Sequence, residues 1–437
     1  MRPFLIIAGL FFWFASPVVA GLKIQEVTSP GGIKAWLVEE RSIPFVALEI
    51  RFKGGTSLDL PGKRGATYMM SGLLEEGAGE LSAAEFRAAT DGLATSFDFD
   101  AHGDAVSISA RYLSETKEES LALLQSALQA PRFDADAVDR VRAQVISIIA
   151  GDQKDPDAVA ADTFDALAYG DHPYGSSSTG TPDSVNALTR DDLITAHKNA
   201  LAKDRVYVAA VGDISAQELG LVLDQLLGAL PEQGSEIPPR ATLQLTPGVT
   251  VIDMDTPQSV ALFGHEGIRR DDPDFFAAYV MNQVFGASGF TSRLSSEVRE
   301  KRGLTYGIYT YLATFDLAAL FQGSVASSND RIAEAIEVVR SEWARLASEG
   351  VSDEELLAAK QYLTGSYPLR FDGNARIARI LANMQADNLP ASYLETRNDQ
   401  VNAVTKEDVK RVAERLMKPQ ALRVVVVGKP EGLANSE

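Results

Sequence analysis

LTRDDLITAHKNALAKDRVYVAAVGDIS, residues Leu188–Ser215, has a counterpart near the end of the chain: VTKEDVKRVAERLMKPQALRVVVVGKPE, Val404–Glu431. Thr189 and Thr405, Asp192 and Asp408, and Gly212 and Gly428 are each separated by 216 positions. In both stretches a threonine cap precedes an amphipathic helical pattern, and a run of β-branched residues then stops at a glycine. A second echo, FDADAVDRVRAQ (Phe133–Gln144) against VSDEELLAAKQY (Val351–Tyr362), repeats a cap and helix at a spacing of 218. The chain therefore reads as one unit written twice. Residues 231–247, which carry four prolines, read as the linker between a first half of residues 21–230 and a second of residues 248–437.

Each half mixes strand and helix signals. IKAWLVEE, FVALEIRFKGG, DAVSISARYL and VYVAAVG read as strands in the first, and VTVIDMD, SVALFGHEG, LTYGIYTYL, LAALFQGSVA and LRVVVVG in the second. Helical patterns run over residues 83–90, 114–129, 136–150, 272–284, 330–348 and 353–363. Strands in succession followed by runs of helix imply an α+β fold, two homologous domains each with a sheet of about six strands, rather than a Rossmann alternation.

Composition narrows the function. With 41 Lys+Arg against 60 Asp+Glu, the 437-residue chain has a net charge of -19, which argues against a nucleic-acid partner. Absence of cysteine removes disulfides and thiolate metal sites. The opening, MRPFLIIAGLFFWFASPVVA, has the order of a secretory signal, so residues 1–20 are expected to be cleaved and the product exported, most simply to a bacterial periplasm. No later apolar run reaches the roughly 18 residues of a helical membrane span, so no integral membrane segment is expected after cleavage.

Two stretches carry the chemistry. GIRRDDPDFFAAYVMNQVFGASGFTSRLSSEVREKRGLTYGIYTYL, Gly267–Leu312, resembles the C-terminal half of pitrilysin/insulinase-type zinc peptidases, the inverzincins. The resemblance rests on Asp272-Pro273-Asp274, Asn282, the loop from Gly286 to Gly289, Ser292-Arg293-Leu294, the run Arg299 to Leu304 and Tyr306, with HPYG at His172–Gly175 in the first half. It implies a clam-shell half built of two such domains. It also implies an H-x-x-E-H helix in the first half, with two histidines on zinc and the glutamate as general base. Here those positions fall within GATYMMSGLL, on Thr67, Met70 and Ser71. Zinc takes imidazole, thiolate or carboxylate donors at about 2.0–2.3 Å, and hydroxyls and a thioether replace them poorly. The family's further glutamate ligand downstream is missing too, because no Glu occurs between Glu119 and Glu218.

No metal ligand set is therefore expected in this chain. The four histidines, His102, His172, His197 and His265, have no i+3 or i+4 pairing and read as loop or surface residues; His102 near Asp104 and His172 before Pro173 have the only suggestive neighbours. What the resemblance leaves is Arg299 and Tyr306, which in the family hold the substrate backbone and donate to the oxyanion, and a small-residue loop, Gly286, Ser288, Gly289 and Phe290, that lines the substrate cavity. Taken together these imply a non-catalytic subunit of a heterodimeric zinc metallopeptidase. Zinc would sit in a homologous partner that bears the intact motif, and the substrate would be a peptide or unfolded protein, bound in part as an added strand. The alternative is a non-proteolytic peptide-binding or structural protein of the cell envelope, a role with no chemical need for Arg299 and Tyr306.

Overall fold

The computed structural model describes residues 22–287 and 291–436; the expected signal segment, residues 1–20, and Ser288, Gly289 and Phe290 lie outside the described residues. The first half builds β1 (Gln25–Thr28), β2 (Lys34–Glu39), β3 (Phe45–Lys53), a short ribbon of β4 (Gly77–Ala78) and β5 (Leu81–Ser82), then β6 (Ser96–Ala101), β7 (Ala105–Leu113) and β8 (Val206–Gly212). The second half builds β9 (Gly248–Asp253), β10 (Gln258–Glu266), β11 (Ile308–Thr314), β12 (Ala319–Ser328) and β13 (Arg423–Gly428).

The two sheets are copies of one plan. The first runs β1-β2-β8-β3-β7-β6 and the second, read from its opposite end, β9-β13-β10-β12-β11. In each, the returning strand pairs in parallel with the first strand of the plan and antiparallel with the second: β8 with β2 and β3, β13 with β9 and β10. The six-strand count holds for the first half, and among the described residues the second sheet has five strands, with only an isolated antiparallel bridge, Val249 to Ser436, on the outer side of β9. Thr189 and Thr405 both form capping boxes, with Asp192 and Asp408, at the starts of helices Arg190–Ala200 and Lys406–Leu416. The glycines ending β8 and β13 match as well. Gly212 has φ +144° and Gly428 φ +145°, and a Cβ would strike Phe45 O of β3 in one and the Ser259 side chain of β10 in the other.

Burial explains why the central strands are apolar on both faces. One face of each sheet packs on helices of its own half: Val46, Leu48, Ile50 and Phe52 of β3 join a core with Leu124, Val141 and Leu223, while Phe263 and Phe321 join one with Phe285 and Trp343. The other face is covered by a helix from the opposite half. Helix Asn374–Ala386 lays Ile377, Leu381 and Met384 on Trp36, Val38, Ala47 and Val211; helix Pro156–Tyr169 lays Ala160, Phe164 and Ala168 on Leu320, Val425 and Val427. Each half thus completes the other's sandwich, and each fully buried large apolar side chain contributes roughly 1.5–3 kcal/mol. Residues 231–247 hold no helix or strand, yet the segment is anchored: Ala241 N–H donates to Leu317 O at 2.9 Å and Gln244 N–H to Ala168 O at 2.9 Å. Among the described residues no helix is long and apolar enough to cross a membrane.

Candidate functional site

The helix Ala66–Gly72, on which the resemblance would put the zinc motif, starts under Asp59, whose carboxylate accepts from Gly65 N–H at 2.9 Å and Thr67 N–H at 2.8 Å. The Thr67 hydroxyl bonds to the same carboxylate, and burial pushes the Asp59 pKa up against these hydrogen bonds and the nearby Arg64 guanidinium. Ser71 Oγ donates to Tyr68 O at 2.8 Å. Met70 is fully buried in the first-half core, beside Met69, Leu73, Leu74 and Val145. The Thr67 and Ser71 hydroxyls are both committed to the protein itself, and Met70 is a thioether packed in hydrocarbon. These residues do not fit a zinc ion. Among the described residues, no group of three or more His, Cys, Asp or Glu side chains is placed to hold a metal.

Arg299 and Tyr306 lie on a segment of the second half fixed from several sides. Ser295–Glu300 winds as a π-helical turn, with Lys301 N–H reaching Ser296 O at 3.0 Å, five residues back. Val298 and Leu304 anchor it in the second-half core. Arg331 donates to Gly303 O at 3.2 Å and Arg302 O at 3.0 Å. The buried Thr305 hydroxyl donates to Ala326 O of β12 at 2.6 Å and accepts from Gly307 N–H at 3.1 Å, which pins the turn that carries Tyr306. Tyr306 itself is 90% exposed. The segment belongs to a different core from the Ala66–Gly72 helix, so the degenerate motif and the Arg299/Tyr306 pair are built on separate units.

Gly286 ends helix Phe275–Phe285 with an ordinary negative φ. Its lack of a side chain serves close approach: a Cβ would meet Thr310 Oγ1 at 2.4 Å. Gly286 O accepts from Thr310 N–H at 2.7 Å, and Asn282 grips the same residue, with Nδ2 donating to Thr310 O at 3.2 Å and Oδ1 accepting from Thr310 Oγ1 at 2.7 Å. The start of the loop is thereby stitched to β11, a structural use of Gly286 that its sequence reading did not anticipate. Arg293, from the same family pattern, also works internally, with a two-pronged bond to Glu355 at 2.6 Å and one to Gly350 O at 2.8 Å.

The HPYG stretch forms a clasp between the halves. Tyr174 Oη donates to Asp104, and accepts from Leu317 N–H at 3.2 Å; Asp104 also accepts from Asp316 N–H at 3.2 Å, while Lys53 pairs with Asp316 at 3.3 Å. Burial pushes the pKa of Tyr174 and of Asp316 up. A cavity of about 420 Å³ opens beside the clasp, lined by Arg51, Asp104, Asp165, Tyr169, Tyr174 and Phe315. Of the histidines, His102 and His172 are outside helices and strands, but the surface reading fails for the other two. His197 is buried with Nε2 2.8 Å from Leu128 O, and His265 is buried on β10 with Nε2 accepting from Trp343 Nε1 at 3.2 Å. Each has its pKa lowered by burial.

Comparison with known proteins agrees with this architecture. The family profile described as "Peptidase M16 inactive domain" matches residues 187–363. A solved structure of a peptidase M16 inactive domain from Pseudomonas fluorescens superposes with a TM-score of 0.87 at 30% identity, covering 95% of this chain and 100% of that one. A "Non-peptidase homolog YmxG" of Helicobacter pylori is 24% identical over 94% of both chains. An uncharacterized zinc protease of Streptomyces coelicolor is 26% identical over 88% of this chain and 87% of its own.

Proposed function

We propose a function from one premise: the chain belongs to the peptidase M16 family, as an inactive homologue of its zinc proteases. We read it as the non-catalytic subunit of an exported, periplasmic, two-chain zinc peptidase. In this reading a homologous partner with an intact H-x-x-E-H helix supplies the zinc and the general base. This chain supplies Arg299 and Tyr306, whose guanidinium and phenol hold the peptide backbone and donate to the oxyanion as the scissile carbonyl becomes tetrahedral. The loop from Gly286 through Phe290 would line the same side of the substrate, a peptide or unfolded protein segment.

The observation that carries the proposal is the contrast between two segments of one molecule. Thr67, Met70 and Ser71 are sealed into a core, with the two hydroxyls committed to Asp59 and Tyr68. Tyr306 projects into solvent from a turn that Thr305 holds rigid. A donor held on a rigid support stabilises a transition state without being reorganised during the reaction, and removing one such donor costs roughly 3 kcal/mol of barrier.

The test is reconstitution. The purified chain is assayed alone and with a homologue that carries an intact H-x-x-E-H helix, for zinc content and for cleavage of an unstructured peptide. Arg299→Ala or Tyr306→Phe is expected to slow turnover of the complex by roughly 10- to 1000-fold while the complex still assembles. Unchanged turnover removes the role given to the pair, and chelator-sensitive digestion by the lone chain removes the whole reading. Peptide binding with no cleavage in any pairing would favour a non-proteolytic envelope protein.

A further inference from the structure

The second half holds an aromatic cavity to which the oxyanion role assigns nothing. It measures about 670 Å³, and its walls include Tyr309 and Tyr311 of β11, Tyr362, Leu369, Arg370 and Arg376. Tyr309 and Tyr311 are two apart on one face of the strand, their rings stacked with centroids 6.1 Å apart. Tyr362 comes from the end of helix Asp353–Gly365 and is 56% exposed; Leu369 comes from the following turn, Tyr367–Arg370, and is 73% exposed. Large apolar side chains exposed together around one concavity mark a binding surface more often than scattered ones do.

Charge selects among the possible occupants. In a chain with 60 acidic against 41 basic residues, most neighbouring arginines are engaged: Arg293 by Glu355, Arg397 by Leu363 O, and Arg411 and Arg415 by Asp274. Arg370 and Arg376 have no hydrogen bond or ion pair with any described residue, both are exposed, and no carboxylate of a described residue lines the cavity with them. The middle of the edge strand is closed to pairing, because Thr310 N–H and O are already bonded to Gly286 and Asn282. At this position recognition falls on side chains, not on strand addition.

We infer that this cavity is a specificity pocket for an extended peptide that presents an aromatic or large aliphatic side chain next to an acidic residue. The apolar side chain enters among Tyr309, Tyr311, Tyr362 and Leu369, and the adjoining carboxylate meets Arg370 and Arg376. The inference rests on the proposed role of Arg299 and Tyr306 as the groups that hold the scissile peptide. Tyr306 is three residues before Tyr309, at most about 10 Å along extended backbone, so a peptide seated in the pocket brings a bond only a few residues away to Tyr306.

Binding to the purified protein alone tests the pocket without requiring a partner or turnover. The probes are fluorescein-labelled twelve-residue peptides of Gly, Ser and Ala with a central Phe-Glu, Phe-Lys or Ala-Glu pair, read by fluorescence anisotropy. Phe-Glu is expected to bind about fivefold or more tighter than either of the others, because Phe-Lys forfeits one or two solvent-exposed ion pairs and Ala-Glu forfeits burial of the aromatic side chain. The double variant Arg370→Glu, Arg376→Glu is expected to reverse the preference to Phe-Lys with an unchanged melting temperature. Equal binding of all three peptides overturns the inference, as does a preference that the double variant leaves unaltered. Self-association abolished by the double variant, without peptide binding, overturns it in favour of a second copy as occupant. If the complex's turnover responds to Arg299→Ala while the peptides bind alike, the pocket alone fails. If the preference appears but turnover ignores Arg299→Ala, the catalytic role alone fails.

Discussion

At Asp165, on the helix that crosses from the first half to the second sheet, burial followed by the nearby charge of Asp162 pushes the carboxyl pKa up to about 7. An unfolded aspartate titrates near 3.8, so the folded state binds the extra proton between these values. The stability this confers is full below about pH 4 and is lost as pH rises through 7. Asp165→Asn, neutral at every pH, is therefore expected to raise the melting temperature at pH 8 and to lose that advantage by pH 4. Thermal unfolding at the two pH values reads the difference, at most about 4 kcal/mol. His197 and His265 act in the opposite sense: their lowered pKa favours the neutral ring in the fold, so their contribution is lost as pH falls below about 6.5. That these two rings are buried depends on partners far away in sequence, Leu128 O and Trp343 Nε1, which no local pattern of residues around a histidine reveals.

The helix Ala66–Gly72 is held in place by packing and by Asp59. Its apolar face, Met69, Met70, Leu73 and Leu74, packs in the first-half core, and Asp59 provides the cap that its own first turn lacks. Met70→Glu places a carboxylate in a fully buried site without a partner and is expected to cost about 3 kcal/mol or more, read as a lower urea midpoint. For the same reason, combining Met70→Glu with Thr67→His and Ser71→His is expected to destabilise the first half rather than create a metal centre. In the second half, the turn at Thr305–Gly307 is a different device: a buried hydroxyl fixes the backbone so that the next side chain can remain outside. The sequence marked Tyr306 only through its likeness to a family pattern, since a tyrosine beside Leu304 and Ile308 looks locally like ordinary strand.

At the scale of the molecule, the two halves are joined by exchange. Helix 374–386 covers the first sheet, helix 156–169 covers the second, and the clasp of Tyr174, Asp104 and the Asp316–Leu317 backbone closes the seam between them. Tyr174→Phe leaves the Leu317 amide and the Asp104 carboxylate each short of one bond. It is expected to speed hydrogen exchange at the Leu317 amide by about tenfold, since a buried polar group left unpaired costs roughly 1–3 kcal/mol. Equal protection in the two proteins would assign the seam to the crossing helices alone. The sequence had singled out HPYG and the Asp104 neighbourhood, but as isolated signals, with Tyr174 and Asp104 70 positions apart.

What the sequence determined by itself was the duplicated unit, most of its strands, the two threonine caps, and residue types at Thr67, Met70 and Ser71 that serve zinc poorly. These follow from side-chain chemistry and from periodicity, which act over a few residues: a threonine three before an aspartate closes a capping box at the head of an amphipathic stretch, and a methionine cannot deprotonate water in any fold. Only the tertiary structure decided which half covers which sheet, why Gly286 must be bare, and that Arg370 and Arg376 stand over an aromatic cavity. Each of these is a meeting between surfaces remote in the chain, and the free energy that selects it comes from mutual burial, which neither surface encodes alone.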